Sequence, residues 1–274
     1  MDLRQSSAPI ALTIAGSDSS GGAGIQADLK TFCALGAYGA SVITALTAQN
    51  TQGVTGIHTP PASFVTAQMD AVFQDLEVDA VKLGMLANAD VVRAVAAGLR
   101  RYKPRFVVLD TVMISKSGHA LLQPDAVAAL RDELLPLADL ITPNLPEAAA
   151  LLGVAPATDE AGMERQAQAL RSLGARHVLV KGGHLASDLS PDWLVSASGV
   201  ERFNAPRIAA HNTHGTGCTL SAALAALRAR REDWSSTVRD AKAYLSGALA
   251  ASDALRVGHG IGPVHHFHAI WPKP

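Results

Sequence analysis

The chain has 274 residues, of which 48% are hydrophobic, and its 23 basic and 24 acidic side chains nearly cancel to a net charge of -1. This length allows a large core, and the balanced charge argues against nucleic acid or an anionic membrane surface as a partner. Two cysteines are too few for a disulfide framework, and we find neither a secretory signal at residues 1–9 nor an apolar run long enough to cross a bilayer, so we expect a cytoplasmic protein.

Short apolar, β-branched runs alternate along the chain with longer stretches rich in alanine and leucine. The short runs predict strands at residues 10–15, 41–46, 78–82, 106–109, 140–142 and 177–180. The longer stretches predict helices at residues 25–35, 64–73, 89–99, 124–134, 147–152 and 163–173. Strands that are apolar on both faces and alternate with helices are typical of a mostly parallel sheet covered on both sides.

The pattern changes after residue 181. Residues 193–195 and 201–203, separated by a turn at Gly199, predict a small antiparallel hairpin at the edge of the sheet. Two further helices are predicted at residues 219–231 and 238–255. We find no linker-like segment and no repeat, so we predict one α/β domain over residues 1–274. In open sheets of this class, ligands bind beyond the carboxyl ends of the strands.

Residues 211–221 read His-Asn-Thr-His-Gly-Thr-Gly-Cys-Thr-Leu-Ser, a glycine-rich loop that runs into a helix of small residues. Around Gly215, Thr216 and Gly217, unpaired backbone N–H groups and the helix dipole would attract an anion. The same field would lower the pKa of Cys218. An anion cradle beside an activated thiol indicates group transfer to or from a phosphate, although Gly-Thr-Gly before a helix is also a common capped turn.

The glycine-rich loop at residues 16–24 follows the first predicted strand, and residues 22–27 match a dinucleotide-binding fingerprint. That fingerprint requires an acidic residue at the end of the second strand, and residues 44–50 contain none, so we exclude nicotinamide binding. The loop remains a candidate for contact with a small ligand, with Asp28 in the first turn of the following helix. Alternatively, its glycines serve close packing of helix and strand.

Charged residues stand at the ends of later strands. Asp110 follows four apolar residues, where a charge is costly unless it is paired or used. Asn144 and Glu147 follow the next strand and match a capping box, but Asp110 and Glu147 together also suit a hydrated Mg²⁺ ion. Lys181 closes the sixth strand, where its ammonium could lie over a phosphate. Each position has a purely structural explanation, and their common place at strand ends favours one shared site.

In this order the motifs resemble the ribokinase-like superfamily and, within it, the hydroxymethylpyrimidine/phosphomethylpyrimidine kinase family of thiamin biosynthesis. The similarity extends over nearly the whole chain, and its most specific blocks are residues 20–30, 47–51, 109–113, 142–147 and 211–221. The resemblance implies a three-layer α/β/α fold. It also implies ATP-dependent phosphorylation of 4-amino-5-hydroxymethyl-2-methylpyrimidine, first to the monophosphate and then to the pyrophosphate.

The resemblance further implies roles for individual residues. The pyrimidine pocket would be lined by Gly16, Asp28, Gln49, Met85, Val112 and Cys218. The transferring phosphoryl group would lie on Gly215, Thr216 and Gly217. The nucleotide would be bound by Lys181, Asn144, Thr216 and Gly217. Mg²⁺ would be held by Asp110 and Glu147, partly through water.

By the same resemblance, Cys218 stands where most of the superfamily has an aspartate base. A thiolate there would accept the hydroxyl proton of the first step, and Cys218→Ala would then impair that step far more than the second, whereas a positioning role predicts equal losses. Two other functions stay open. One is a pyridoxal or pyridoxine kinase, whose substrate is also a flat nitrogen ring with a primary alcohol, and the other is a non-catalytic ligand sensor. A homodimer is expected by family analogy.

Overall fold

The computed structural model of the chain describes residues 8–113, 122–183, 185 and 188–272. Its strands are β1 (Ile10–Gly16), β2 (Tyr38–Asn50), β3 (Gly53–His58), β4 (Ala80–Leu83), β5 (Phe106–Leu109), β6 (Leu140–Ile141), β7 (His177–Lys181), β8 (Asp192–Ser196) and β9 (Gly199–Phe203). They form a nine-stranded sheet in the order β3-β2-β1-β4-β5-β6-β7-β8-β9. The strands from β2 to β7 in this order pair in parallel, and β8 and β9 add the predicted antiparallel hairpin at one edge.

The opposite edge differs from the prediction. β2 extends well beyond residues 41–46 and turns back into β3, an antiparallel strand that the sequence reading missed. The Asn50 side chain closes the turn by accepting hydrogen bonds from the backbone N–H groups of Gln52 (2.8 Å) and Gly53 (3.2 Å). The apolar pattern does not mark this extension, because residues 47–50 are mostly polar.

The helices are α1 (Gly24–Ala34), α2 (Ala62–Phe73), α3 (Ala89–Tyr102), α4 (Pro124–Ala129), α5 (Leu145–Leu152), α6 (Glu160–Ser172), α7 (Thr216–Arg228) and α8 (Trp234–Ala250). The helix predicted at residues 124–134 is divided, since α4 passes into a π-helical turn at Leu130–Leu134. α8 ends five residues before the predicted Leu255 and is followed by a short 3₁₀ turn. Within the described ranges, none of the helices combines the length and apolar character needed to traverse a bilayer.

The two faces of the sheet pack against different helices, which confirms the three-layer α/β/α fold. Helices α2 to α6 cover one face, where alternate strand residues such as Leu12, Val81 and Leu109 are buried. Helices α1, α7 and α8 cover the other face, on which the intervening residues such as Ala80 and Val108 lie.

On the face covered by α1, α7 and α8, the apolar residues stop one position short of the carboxyl ends of the strands. Polar residues take the next inward position on five adjacent strands or strand ends. We call these residues the polar row; they are Thr13, Lys82, Asp110, Thr142 and Lys181. Four of them are buried and Lys181 is half-buried. The fold therefore gathers polar side chains at the edge where ligands bind in open α/β sheets.

Candidate active site

The N-terminus of α7 lies against the polar row. Gly215, its N-cap, has a φ of 81°, and a Cβ there would lie 1.9 Å from the carbonyl oxygen of Gly22, so glycine is required twice over. A Cβ on Gly217 would lie 3.6 Å from both Asp110 Oδ2 and Lys181 Nζ. The first turn of α7 and the Lys181 ammonium therefore meet at one point, an arrangement suited to an anion. The Thr216 hydroxyl donates to the carbonyl of Thr213 (2.7 Å) and closes the loop before the helix.

Asp110 is the carboxylate of the polar row, and both of its oxygens have partners. Its Oδ1 lies 3.2 Å from Lys181 Nζ and accepts a hydrogen bond from the Thr142 hydroxyl, while Oδ2 accepts one from Ser221 in α7. Burial alone would raise its pKa, but the charges of Lys181 and Lys82 outweigh burial and lower it. Asp110 is therefore a buried anion held in place by both the sheet and α7.

Asn144 and Glu147 form the predicted capping box at the start of α5. Asn144 Oδ1 accepts from Glu147 N–H, and Glu147 Oε2 accepts from Asn144 N–H, both at 2.9 Å, and from the Thr111 hydroxyl at 3.0 Å. The capping box does not exclude that Glu147 also binds Mg²⁺. Burial raises the pKa of Glu147 to about 7, against the opposing charge of Lys181 and with the help of the Asp110 charge.

The chemistry of this pair fits a hydrated Mg²⁺ ion. Asp110 and Glu147 are two buried carboxylates that raise the cost of each other's charge, and a divalent cation would relieve that cost. Within the described ranges, no three residues among His, Cys, Asp and Glu converge on one point. The donor set is thus a pair of carboxylates, which suits an ion that keeps several waters and also binds phosphate oxygens.

Cys218 lies in the first turn of α7, as predicted, but the prediction for its pKa is wrong. Burial raises the pKa of this thiol to about 11, although the Lys82 charge and a hydrogen bond from Gly24 N–H act in the opposite direction. Loss of hydration thus outweighs both the Lys82 charge and the Gly24 hydrogen bond. In this state the sulfur keeps its proton at neutral pH, so it is not a ready base.

Lys82 is a site residue that the sequence reading missed. Its Nζ lies 2.8 and 3.0 Å from the two carboxylate oxygens of Asp28, and both residues have 0% exposure. The Thr13 hydroxyl donates to the same carboxylate at 2.6 Å. Burial alone would lower the pKa of Lys82, but the charge of Asp28 outweighs burial and raises it. The signal was available, because Lys82 is a charge inside an apolar strand, as Asp110 is at a strand end.

Among the residues predicted to contact the substrate, Gly16 and Met85 touch each other, whereas Asp28 differs from its prediction. Asp28 lies in the second turn of α1 rather than the first, because α1 begins at Gly24, and it is buried in its ion pair. Gly16 donates a backbone hydrogen bond to Met85 (3.1 Å), and a Cβ on Gly16 would lie 3.0 Å from Met85 Sδ. Val112 donates to the carbonyl of Asp110 (2.9 Å), which places it at the neighbouring strand end.

Gln49 lies near the end of β2, beside a histidine that the sequence reading did not single out. Gln49 Nε2 is 3.3 Å from His214 Nε2, which is also 2.8 Å from Asp18 Oδ2. The backbone of His214 is bonded on both sides to the segment that follows α8, through Gly262 O and Val264 N. His214 therefore joins the loop after β1, the end of β2 and the loop before α7.

Comparison with known proteins shows which proteins this chain is similar to. The sequence profile of the phosphomethylpyrimidine kinase family matches residues 18–265. The hydroxymethylpyrimidine/phosphomethylpyrimidine kinase of Escherichia coli strain K12 is 62% identical over 261 residues, which are 95% of this chain and 98% of that protein. Two solved structures are similar. Phosphomethylpyrimidine kinase from Clostridium difficile 630 has a TM-score of 0.78 at 42% identity, covering 88% of this chain and 99% of its own. An ADP complex of Bacillus subtilis pyridoxal kinase has a TM-score of 0.88 at 35% identity, covering 96% and 99%.

Proposed function

The chain belongs to the phosphomethylpyrimidine kinase family, and from this membership we infer that it phosphorylates 4-amino-5-hydroxymethyl-2-methylpyrimidine and then its monophosphate, with ATP as the donor, in thiamin biosynthesis. The observation that carries the inference is the meeting of the α7 N-terminus, Lys181 and Asp110 at one point, because phosphoryl transfer depends mostly on alignment and on stabilising negative charge. A non-catalytic sensor would not need this arrangement.

In the first step, an oxygen lone pair of the hydroxymethyl group forms a bond to the γ-phosphorus of ATP while the bond from that phosphorus to the β,γ-bridging oxygen breaks. ADP leaves with the electron pair of the broken bond, and the hydroxyl proton passes to water. In the second step, an oxygen of the monophosphate attacks a second ATP in the same way, with no hydroxyl proton to remove. Around the transferring group, the backbone N–H groups of Gly215, Thr216 and Gly217 stabilise the equatorial oxygens.

The nucleotide phosphates are assigned to Lys181 and Asn144, together with Thr216 and Gly217. Lys181 keeps its proton because the charges of Asp110 and Glu147 outweigh the effect of burial and raise its pKa. Asp110 and Glu147 would hold Mg²⁺, partly through water, and the bound ion would neutralise charge on the phosphate oxygens.

The pyrimidine is assigned to Gly16, Gln49, Met85 and Val112, with Cys218 at the acceptor group. Asp28, which was predicted to line this pocket, is instead held in its ion pair with Lys82. Because burial keeps the proton on the Cys218 sulfur, we assign the thiol a positioning role rather than that of a base. The Lys82–Asp28 ion pair is held rigidly next to these residues, since both side chains are fully buried.

A homodimer is part of the proposal by family analogy, and the exposed edge of the sheet supports it. Leu46 on β2 and Ile57 on β3 are 49% and 44% exposed, although both are large apolar residues on adjacent strands. Sedimentation velocity of the wild type and of Leu46→Lys tests the assembly. A dimer that dissociates in the variant supports this edge as the interface, and a wild-type monomer contradicts the proposal.

³¹P NMR of the protein with Mg²⁺-ATP tests the function, with the pyrimidine alcohol in one tube and pyridoxal in another. We expect a phosphomonoester signal that gives way to a pyrophosphate pair in the first tube. A monoester that forms in the pyridoxal tube alone would move the protein to vitamin B6 salvage, the activity of the structurally similar Bacillus subtilis enzyme. No turnover in either tube would favour the sensor.

A further inference from the structure

Asp18 is an enclosed carboxylate that accepts hydrogen bonds from every side. Its exposure is 1%; Oδ1 accepts from the Ser20 backbone (2.9 Å) and hydroxyl (2.7 Å), and Oδ2 accepts from the backbone N–H groups of Gly22 (3.2 Å) and Ala23 (2.9 Å). Although burial opposes ionisation, the hydrogen bonds from His214 and Ser20 outweigh it and lower the pKa of Asp18 to about 2. The Asp18 carboxylate is therefore the acceptor in each of these contacts.

The charge of Asp18 decides where His214 carries its hydrogen. His214 Nε2 lies 2.8 Å from Asp18 Oδ2, and an ionised carboxylate has no hydrogen to offer, so Nε2 is the donor. The imidazole has little freedom to turn away, because it packs directly against Gly22, where a Cβ would lie only 2.5 Å from His214 Cδ2. The backbone of His214 is also held by hydrogen bonds to Gly262 and Val264.

A protonated Nε2 has no lone pair left for Gln49. The Gln49 amide nitrogen lies 3.3 Å from it, so this contact sets one donor against another. On the other side, Gln49 Oε1 lies 3.1 Å from the Thr47 hydroxyl, whose single hydrogen is directed to the closer carbonyl of Ser17 (2.8 Å). Turning the amide by 180° removes both conflicts: Oε1 then shares the single Nε2 hydrogen of His214 with Asp18 Oδ2 in a three-centre bond, and Gln49 Nε2 donates to the Thr47 oxygen.

We propose that Asp18 and His214 are positioning residues that fix the orientation of the Gln49 amide, with Oε1 towards His214 and Nε2 towards Thr47. They thereby set the order in which the site offers an acceptor and a donor to the substrate ring. This inference rests on the proposed function, in which Gln49 contacts the pyrimidine. A ring with an exocyclic amine beside a ring nitrogen matches that order in one orientation, and a ring without the amine leaves the second lone pair of the amide oxygen without a donor.

Nitrogen NMR of the free, ¹⁵N-labelled protein tests the geometry without any substrate. Long-range ¹H–¹⁵N correlation spectra distinguish a protonated Nε2 from a bare one, and the His214 signals are assigned by their loss in His214→Gln. We expect Nε2 to carry hydrogen in the wild type and to lose this preference in Asp18→Asn. A wild-type His214 protonated at Nδ1 alone, with a bare Nε2 facing Gln49, would overturn the proposal.

Kinetics with two substrates tests the consequence. In Asp18→Asn we expect KM for the pyrimidine alcohol to rise about tenfold or more, KM for ATP to stay within about twofold, and the preference in kcat/KM for the pyrimidine over pyridoxal to fall with it. Ser20→Ala is the matched control, because it removes a hydroxyl bond to the other oxygen of Asp18 and leaves His214 in place. His214→Gln, whose amide still donates, should keep more of the preference than His214→Leu.

An unchanged preference in a folded Asp18→Asn protein, or a loss confined to kcat, would contradict the positioning role. The melting temperature of each variant shows whether it is folded, and the NMR result on the wild type decides the question if Asp18→Asn is not. A wild type that does not phosphorylate the pyrimidine alcohol would contradict the proposed function instead, while the protonation of His214 would still be measured.

Discussion

Lys82 and Asp28 form an ion pair that is closed to solvent on all sides, with Lys82 Nζ 2.8 and 3.0 Å from the two carboxylate oxygens. With Asp110 and Lys181, the pair forms a series of alternating charges beneath α7. A buried charge is costly unless a partner compensates it, so each member of the series depends on its neighbour. The same arrangement that stabilises the sheet edge thereby holds the charges of the proposed site in place.

Removal of Lys82 should be more damaging than removal of the whole pair. We expect Lys82→Met to lower the free energy of unfolding by about 3–5 kcal/mol, because it leaves the Asp28 charge buried without a partner. Urea unfolding followed by circular dichroism measures the loss. The double variant Lys82→Met/Asp28→Leu should recover most of the stability without recovering activity. A single variant as stable as the wild type would show that the ion pair contributes little.

Two glycines at the start of α7 should respond differently to alanine. Gly215→Ala is expected not to fold stably, because φ is 81° and the new Cβ would overlap the Gly22 carbonyl at 1.9 Å. Gly217→Ala should fold with near wild-type stability, since its Cβ would lie 3.6 Å from the nearest atoms, yet lose about a hundredfold or more in kcat because the methyl group occupies the phosphoryl position. Full activity in Gly217→Ala would contradict the proposal that the transferring phosphoryl group binds at this helix terminus.

The reactivity of Cys218 towards iodoacetamide should rise steadily with pH. Burial raises the pKa of this thiol to about 11, so the thiolate fraction increases throughout the range from pH 7 to 10. The measurement uses a Cys33→Ser background, because Cys33 is exposed and would react as well. A rate that reaches its plateau below pH 8 would show that the thiol is activated, as the helix terminus alone predicts.

Comparison of the two phosphorylation steps tests the role of Cys218 independently. A base would assist only the alcohol, which loses a proton, and not the monophosphate, whereas a group that positions the acceptor serves both. Because the sulfur keeps its proton, we expect Cys218→Ala to lower the two rates by factors that agree within about threefold. Single-turnover measurements on each acceptor give these factors. A loss a hundredfold greater in the first step would identify Cys218 as its base.

The free energy of unfolding should fall as the pH rises, because Glu147 loses a proton that stabilises the folded state. Its pKa is raised from 4.5 to about 7 in the folded state, so between these values the native protein holds a proton that the unfolded chain has lost. The stabilisation is complete below pH 4.5 and gone above pH 7, a change of up to about 3 kcal/mol. Glu147→Gln should remove this dependence in urea unfolding between pH 5 and 8.

Mg²⁺ provides the control for the same pair. It should raise the urea midpoint of the wild type more at pH 8 than at pH 5.5, because it binds the ionised carboxylates of Asp110 and Glu147. In Glu147→Gln the increment should be smaller and nearly independent of pH. An equal increment in both proteins would place the ion elsewhere.

The sequence was sufficient to predict the parallel sheet, its layers and the meeting of Asp110, Glu147 and Lys181, because parallel strands place their carboxyl ends at one edge. Lys82 was equally accessible to that reasoning, as a charge within the apolar segment of β4. The third strand could not be predicted in this way, since the two apolar residues of β3, Val54 and Ile57, are separated by a threonine and a glycine, and the end of β2 is mostly polar, so neither segment forms an apolar run.

The electrostatic state of Cys218 could not be predicted locally. A helix terminus lowers a thiol pKa and burial raises it, and the depth of burial depends on how α1 and the Gly22–Gly24 backbone close over α7. The contact of His214 with Asp18 has the same origin, since it joins segments that are far apart in the chain. Such pairings depend on tertiary packing rather than on local pattern.

The contact of Gly22 with Gly215 also orders events during synthesis of the protein. The strands from β1 to β7 can pair before α7 has left the ribosome, because every parallel partner has by then been made. The site for the transferring phosphoryl group cannot form at that stage, because it needs both the loop after β1 and the start of α7. A nascent chain that has all its parallel strands therefore still cannot turn over ATP, and catalytic competence arrives only when α7 docks against the loop after β1.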